Sequence, residues 1–326
     1  MTTRAEEAPR LAPGGPAAES KLRSYARLGK LDVYDYYPAM AVALSAALPL
    51  RPATVSGALA ATALFLLGAV FVIMSGTAFD DVTGYRDGSD TTNYGPDDPL
   101  RDKRRKPLVA GALTVREALG FAWLTALTGA VLWAAAVAAA PHRPGWAVAV
   151  TAALFVVSLQ YSYGLKISYH GFQEAFLCGL GVGLVLAPYG LVAGEFSGFV
   201  LVQAVLFGCG PLLCGVYSNT NDIPGDRAVG RPTAACLLSP RGNALFVGAL
   251  SCAEFLLGAA ASATGLAPWW FVLLMLPVTG LRVRQYVTGF RRGDILRARR
   301  LGFRTHRVCF LLLIAANLLT ALEVSR

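Results

Sequence analysis

Charged residues are scarce in this sequence. Asp, Glu, Lys and Arg make up 15% of its 326 residues, against about a quarter in a soluble domain. The shortage excludes a disordered chain, and with 55% apolar residues it also argues against an ordinary water-soluble fold. Only three histidines are present and they lie far apart, so a histidine-based metal site is not expected. The six cysteines (Cys178, Cys209, Cys214, Cys236, Cys252, Cys309) form no CxxC pair. That excludes a disulfide scaffold or a zinc module, and they read as small buried hydrophobes. Residues 1–20 are rich in Ala, Pro, Gly and Glu and lack an apolar core, so no cleavable signal peptide is expected. Residues 1–30 read as a disordered tail, leaving 31–326 as one domain. Lysine is rare beside arginine, a bias typical of a high-GC, bacterial genome.

What is abundant is long apolar sequence. A membrane span needs about 20 mostly apolar residues, and nine stretches qualify: 35–53, 57–76, 115–140, 145–163, 174–194, 198–217, 243–263, 267–282 and 307–323. The predicted fold class is an all-α, polytopic membrane bundle of about nine transmembrane helices. With the N-terminus in the cytoplasm, 26 of the 29 Lys and Arg fall on the cytoplasmic side, as the positive-inside rule requires. Arg51, Arg143 and Arg326 fall on the other. The net charge of +9 is thus a topology signal, and nucleic acid is not an expected partner. Localisation in the cell membrane follows. The spans are nearly free of charge (Glu254 is an exception), which argues against a transporter with ionisable groups along its pathway.

The acids gather just after two apolar spans. The first segment carries Asp80, Asp81, Asp87 and Asp90, and the second carries Ser218, Asn219, Asp222 and Asp226. Ser218, Asp222 and Asp226 are four apart and share one face of a helix. Asp80 and Asp87, seven apart, do the same, although Gly84 and Gly88 weaken a helix there. Carboxylates converging at a membrane boundary need a cation between them. Mg2+ suits them, because it takes one or two carboxylates together with substrate phosphates. Asp97, Asp98 and Asp102 read as solvated loop acids, and Arg101 to Arg105 as topogenic charge.

These residues resemble the UbiA superfamily of intramembrane prenyltransferases over nearly the whole chain. The first motif of that family, Asn-Asp-x-x-Asp-x-x-x-Gly-x-Asp in its menaquinone-pathway branch, falls on Asp80, Asp81, Gly84, Gly88 and Asp90. An Arg/Lys-Pro-Leu-x-x-Gly segment matches Lys106 to Gly111. The second motif matches Ser218, Asp222, Asp226, Arg227, Gly230 and Thr233. The family loop Tyr-Ser/Thr-x-x-Pro/Gly-x-Lys/Arg matches the segment from Tyr161 to Lys166. Two positions depart from the pattern: the opening Asn is Asp80 and the middle Asp is Gly84, for which nearby Asp87 is expected to compensate.

The resemblance implies a cytoplasm-facing site that transfers an isoprenyl group from an isoprenyl diphosphate to an aromatic acceptor. It implies Mg2+ held by Asp80, Asp81, Asp87, Asp90, Asp222 and Asp226. It also implies diphosphate contacts from Arg86, Lys106, Lys166, Arg227 and Asn219, with Lys166, Tyr161 and Tyr163 as catalytic residues. Tyr161, Tyr163 and Tyr85 would face the allylic cation, where ring faces attract positive charge. The alternatives are a terpene cyclase on the same scaffold, acting without an acceptor, and an inactive paralogue.

Overall fold

A computed structural model describes residues 20–31, 35–50, 52–94 and 102–324. Among these every regular element is helical. The helices are α1 (Lys21–Leu28), α2 (Ala39–Ala46), α3 (Val55–Asp87), α4 (Ser89–Asn93), α5 (Val115–Ala139), α6 (Gly145–Gln160), α7 (Gln173–Ala193), α8 (Gly198–Ala228), α9 (Ala234–Leu237), α10 (Pro240–Ala263), α11 (Phe271–Tyr286) and α12 (Ile295–Val324). Six of them, α3, α5, α7, α8, α10 and α12, are long and apolar enough to cross a membrane. The expected first span, 35–53, is helical only over the eight residues of α2. Pro49 and Pro52 follow closely, and the residue before a proline disfavours the α conformation. The expected eighth span is the 16-residue α11, which continues into a π-helical turn over Val287–Arg291.

Part of the stretch read as a disordered tail is ordered. Residues 1–19 lie outside the described residues, but α1 follows directly on Ser20, whose hydroxyl caps the helix by accepting from Arg23 N. Leu28 is buried beside Ala78, Phe79 and Val82, and Lys21 pairs with Glu117. Glu117 belongs to a capping box: its side chain accepts from Thr114 N at 2.8 Å, while its own N–H donates to Thr114 Oγ1 at 3.2 Å. The composition of residues 21–28 is polar enough to resemble a tail. It is this apolar anchor on α3 and the ion pair to α5 that fix them.

The main core joins α2, α3, α5, α6, α7, α8, α10, α11 and α12 through residues such as Phe65, Trp133, Leu184, Phe207, Phe271 and Leu313. Glu254 of α10, the acid inside an apolar span, does not face the core alone. Arg282 of α11 grips it with two hydrogen bonds of 2.7 and 2.9 Å and turns its third arm to Gln285 at 2.9 Å. A buried carboxylate survives only with such a partner.

Helices α3 and α8 are 33 and 31 residues long. At 1.5 Å per residue they reach about 50 Å, well past the roughly 30 Å of a hydrocarbon core. The C-terminal turns of α3 carry Asp80, Asp81 and Asp87 and those of α8 carry Asn219, Asp222 and Asp226, so both acidic segments sit at the ends of helices longer than such a core is thick.

Candidate active site

The first acidic segment remains helical to Asp87. There Gly88, at φ +83°, caps the end of α3 and precedes the short helix α4. That backbone region suits glycine because no Cβ clashes. The reversal lays Asp90 back over α3, and its carboxylate fills the space beside Gly84. A Cβ at position 84 would lie 2.7 Å from Asp90 Cγ and Oδ2. Lys106 then joins two carboxylates, with its Nζ 2.7 Å from Asp81 Oδ1 and 2.8 Å from Asp90 Oδ2. Lys30 adds a second cation 3.1 Å from Asp81 Oδ1.

The three groups are buried: Asp81 is 1% exposed, Lys106 4% and Asp90 8%. Burial pushes the Asp90 carboxyl up to about 6, although Lys106 pulls the other way. Burial also opposes the Lys106 charge, yet Asp81 and Asp90 outweigh it and hold the ammonium well above its usual range. Lys106 therefore stays charged.

The second segment lies on α8, which continues through Pro224 to Ala228. Asn219, Asp222 and Asp226 are spaced three and four apart on one face. Asn219 is fixed by the start of α7. Gln173 Nε2 donates to its Oδ1 at 2.6 Å, and its Nδ2 donates to Glu174 Oε1 at 3.0 Å.

Past the end of α8, Gly230 at φ +68° turns the chain back. Arg231 N donates to Asp226 O at 2.8 Å. The Arg231 guanidinium lies 3.9 Å from Asp226 Oδ1, stacks 4.5 Å from the centre of the Tyr169 ring, and donates to Tyr169 Oη at 2.8 Å. Tyr169 in turn donates to Asp87. A line of polar contacts thus runs Asp226–Arg231–Tyr169–Asp87, from one acidic segment to the other. The two segments also touch directly, since a Cβ at Gly225 would strike the Asn93 carboxamide.

Beneath this polar layer the walls become apolar. Asp80 accepts from Ser162 Oγ at 2.6 Å and also lines a cavity of about 120 Å³ with Tyr161, Phe176, Leu177 and Tyr36. The Tyr161 ring stacks on Phe176 with centroids 4.3 Å apart. A second chamber of about 150 Å³ shares Tyr36 and Leu177 with the first, and runs along Cys214 and Ser218 toward Asp35 and His306.

The structure therefore gathers Asp81, Asp90 and Lys106 on one side, Asn219, Asp222 and Asp226 on α8, and Asp80 with Tyr161 below. Other expected residues fall elsewhere. Tyr163 stacks on Phe79 at 4.4 Å and meets Trp123 edge-on, away from the Asp80 cavity. Tyr85, Arg86 and Arg227 are exposed. Lys166 is exposed too, with its Nζ 5.2 Å from the centre of the Tyr169 ring. Asp87 does not take up the position vacated by the missing middle Asp. It bonds Tyr169 and Ser89 N, and Asp90 fills the space at Gly84 instead. Ser162, Tyr169, Gln173 and Arg231 are site residues that reading the sequence did not single out. For Arg231 the available signal was Gly230, a turn residue able to send the next side chain back to Asp226. Asp97, Asp98 and Arg101 lie outside the described residues.

No three His, Cys, Asp or Glu side chains converge tightly enough among the described residues to hold a metal ion unaided. The donor set nevertheless fits Mg2+. It consists of hard carboxylate oxygens, and Asp81 Oδ2 is buried without a hydrogen-bond partner. Mg2+ needs only one or two carboxylates when phosphate oxygens and water complete its shell.

Residues 36–308 match the model of the UbiA prenyltransferase family. Comparison with curated protein sequences gives no match. Among solved structures the chain resembles a UbiA homologue from Aeropyrum pernix K1, with TM-score 0.63 and 18% identity, covering 91% of this chain and 98% of that one. It also resembles a UbiA homologue from Archaeoglobus fulgidus bound to DMAPP and Mg2+, with TM-score 0.60 and 14% identity over 89% and 99% of the two chains. A digeranylgeranylglyceryl phosphate synthase aligns with TM-score 0.61 and 12% identity over 91% and 99%.

Proposed function

The chain belongs to the UbiA prenyltransferase family, and from that premise we propose that it transfers an isoprenyl group from an isoprenyl diphosphate to an aromatic acceptor inside the membrane. It is a multi-pass membrane protein. Its nine-span topology, cytoplasmic N-terminus and place in the cell membrane belong to the proposal, as does a single catalytic domain over 31–326.

The observation that supports this reading best is the junction at Asp80. On one side of that residue lies a buried layer of carboxylates, Lys106 and Arg231, and on the other an apolar cavity. A substrate with an anionic head and a hydrocarbon tail is the ligand such a boundary suits. The solved Archaeoglobus homologue bound to DMAPP and Mg2+ is consistent with that class.

Asp81, Asp90, Asp222 and Asp226 would hold Mg2+ against the diphosphate, with Asp80 beside them. When bound, the metal neutralises charge as it develops on the leaving group. Lys106 and Arg231 supply fixed positive charge in a buried layer where water competes little, and preorganised charge of this kind lowers the barrier to ionisation. Tyr169 holds Arg231 in place. Lys166 lies at the rim, within reach of a phosphate that projects outward. Tyr161 lines the cavity where the allylic carbon would lie, and the ring face not covered by Phe176 would stabilise a cation there. The stack with Phe176 keeps that pocket dry. The acceptor would approach through the chamber along Ser218.

Membranes containing the protein, incubated with Mg2+ and dimethylallyl, geranyl, farnesyl or geranylgeranyl diphosphate with and without aromatic acceptors, test the proposal by mass spectrometry. A product of acceptor plus prenyl mass is expected. A terpene hydrocarbon or alcohol formed equally without acceptor would identify a cyclase, and no Mg2+-dependent consumption of any diphosphate would refute both.

A further inference from the structure

Beside the carboxylate layer lies a chamber of opposite charge. It has a volume of about 530 Å³ and forms where α1, the short turn Lys103–Arg105 and α12 meet, with Tyr94 just after α4. Six cations line it: Arg23, Arg27 and Lys30, then Arg104 and Arg105, and Arg299 of α12. Asp102 is the one acid on that wall among the described residues. It is engaged with Arg104, accepting from the backbone N at 2.8 Å and from the guanidinium Nε at 2.9 Å. Arg104 O in turn accepts from Arg27 Nη1 at 3.0 Å, which ties α1 to the turn. Charge that only sets topology can point anywhere on the aqueous side. Here cations from three separate elements line one space. Arg23, Arg104 and Arg105 are exposed, so the chamber reaches the surface.

Lys30 joins this chamber to the candidate active site. Its Nζ lies 3.1 Å from Asp81 Oδ1, the same oxygen that Lys106 holds. Its backbone is unusual. Helix α1 closes with Lys30 N donating to Arg27 O and Leu31 N to Ala26 O, both at 3.1 Å. In such a closure glycine usually takes the left-handed position, yet here Lys30 takes it, at φ +48°. A strained residue with a long side chain at such a turn points to a use for that side chain. Tyr94 is shared in the same way, since it lines the chamber and its ring centre lies 5.4 Å from Lys106 Nζ. We infer that the chamber is a second anion site, apart from the two acidic segments, and that it takes a phosphate or diphosphate group through Arg23, Arg27, Arg105 and Arg299. Guanidinium forks bond phosphate oxygens in pairs, and arginine outnumbers lysine on the wall five to one. Two sources carry that group to this place. One is inorganic pyrophosphate, which the reaction proposed above releases beside Lys30. The other is the headgroup of an acidic phospholipid, which basic pockets at the cytoplasmic boundary suit. The site itself does not depend on that reaction.

The test measures binding of radiolabelled inorganic pyrophosphate to the full chain in phosphatidylcholine nanodiscs, with EDTA present. Binding without Mg2+ is expected. Arg23→Gln and Arg105→Gln, both on exposed side chains, should each weaken it at least about tenfold, the scale of losing a hydrogen bond to a charged group. Arg300→Gln, next to Arg299 but outside the chamber wall, should not. A second arm purifies the protein from membranes rich in phosphatidylglycerol and weighs the intact complex by native mass spectrometry. Phosphatidylglycerol retained by the wild type, lost in Arg23→Gln and displaced by pyrophosphate would make the lipid headgroup the resident anion. Pyrophosphate binding with no retained lipid would make the free anion the ligand. Binding of neither, or equal losses in all three variants, would overturn the inference, the latter because a diffuse positive field would then explain the binding. Neither arm needs turnover. If no isoprenyl diphosphate is consumed, the proposed function fails while the chamber is still judged by these two measurements.

Discussion

The carboxylate of Asp90 lies where a side chain on residue 84 would have to be. Its Cγ is 2.7 Å from the position of a Cβ on Gly84, and its Oδ2 is 2.8 Å from Lys106 Nζ. The two positions therefore act as one. With no side chain at 84, that space on the body of α3 is taken by the Asp90 carboxylate, which α4 brings back through the left-handed turn at Gly88.

That relationship predicts a compensating pair. Gly84→Asp alone should cripple Mg2+-dependent diphosphate binding by forcing two carboxylates into one space. Gly84→Asp combined with Asp90→Gly should recover much of it. The coupling measured by a double-mutant cycle should be about 1–3 kcal/mol, as for residues in direct contact. Strictly additive effects would show that the two sites are independent.

Arginines 227 and 231 should behave oppositely. Arg231→Ala removes the guanidinium that links Asp226 to Tyr169, and turnover should fall by about 10²–10³, the scale for losing one preorganised electrostatic group. Arg231→Lys should rescue poorly, since a lysine cannot both stack on Tyr169 and bond its hydroxyl. Arg227→Ala, on an exposed side chain, should change the rate little. Steady-state rates of the three variants decide this, and a larger loss at 227 than at 231 would reverse the assignment.

Asp81→Ala, Asp222→Ala and Asp226→Ala should each abolish Mg2+-dependent turnover while the protein still inserts and expresses. Arg104→Ala should matter little, because Arg104 is exposed and pairs with Asp102. Normal activity in all three acidic variants would remove the two-segment site.

A fourth prediction concerns stability alone. Arg282→Met leaves Glu254 buried without its bidentate partner and should cost about 3–5 kcal/mol, the usual penalty for breaking a buried pair. Adding Glu254→Leu should restore most of the loss, because a buried ion pair can often be replaced by apolar groups. Thermal unfolding in detergent reads both variants. If the double variant is no more stable than the single one, the pair does more than neutralise itself.

Much of the architecture was legible in the sequence because apolar runs and acid spacing are linear signals. The two acidic segments lie at the ends of α3 and α8, and α8 stays helical through Ala228, so the four-residue spacing of Ser218, Asp222 and Asp226 does run along one helix. What was not legible depends on chain reversals. The Asp90–Gly84 contact requires the turn at Gly88, and Arg231 reaches Asp226 only because Gly230 folds the backbone back. The resemblance points to Arg227, which follows Asp226 in the second motif. Yet consecutive residues on a helix point about 100° apart, so a neighbour of Asp226 on α8 faces away from it. The resemblance also points to Tyr163, but only packing shows that Phe79 and Trp123 hold it. The short α2 shows the other limit, since hydropathy marks where a span can lie and prolines decide how much of it is helical.

The length of α3 and α8, with both acidic segments at their C-terminal ends, has a consequence for the reaction proposed here. The bond that breaks joins a carbon on the oily side of the boundary to an oxygen on the watery side. Once it is cut, pyrophosphate dissolves into the aqueous compartment and the prenylated product stays in the bilayer, so the two products part into different phases without passing one another. Reversal would require them to meet again at one boundary, so separation by phase opposes the back reaction even when both products accumulate.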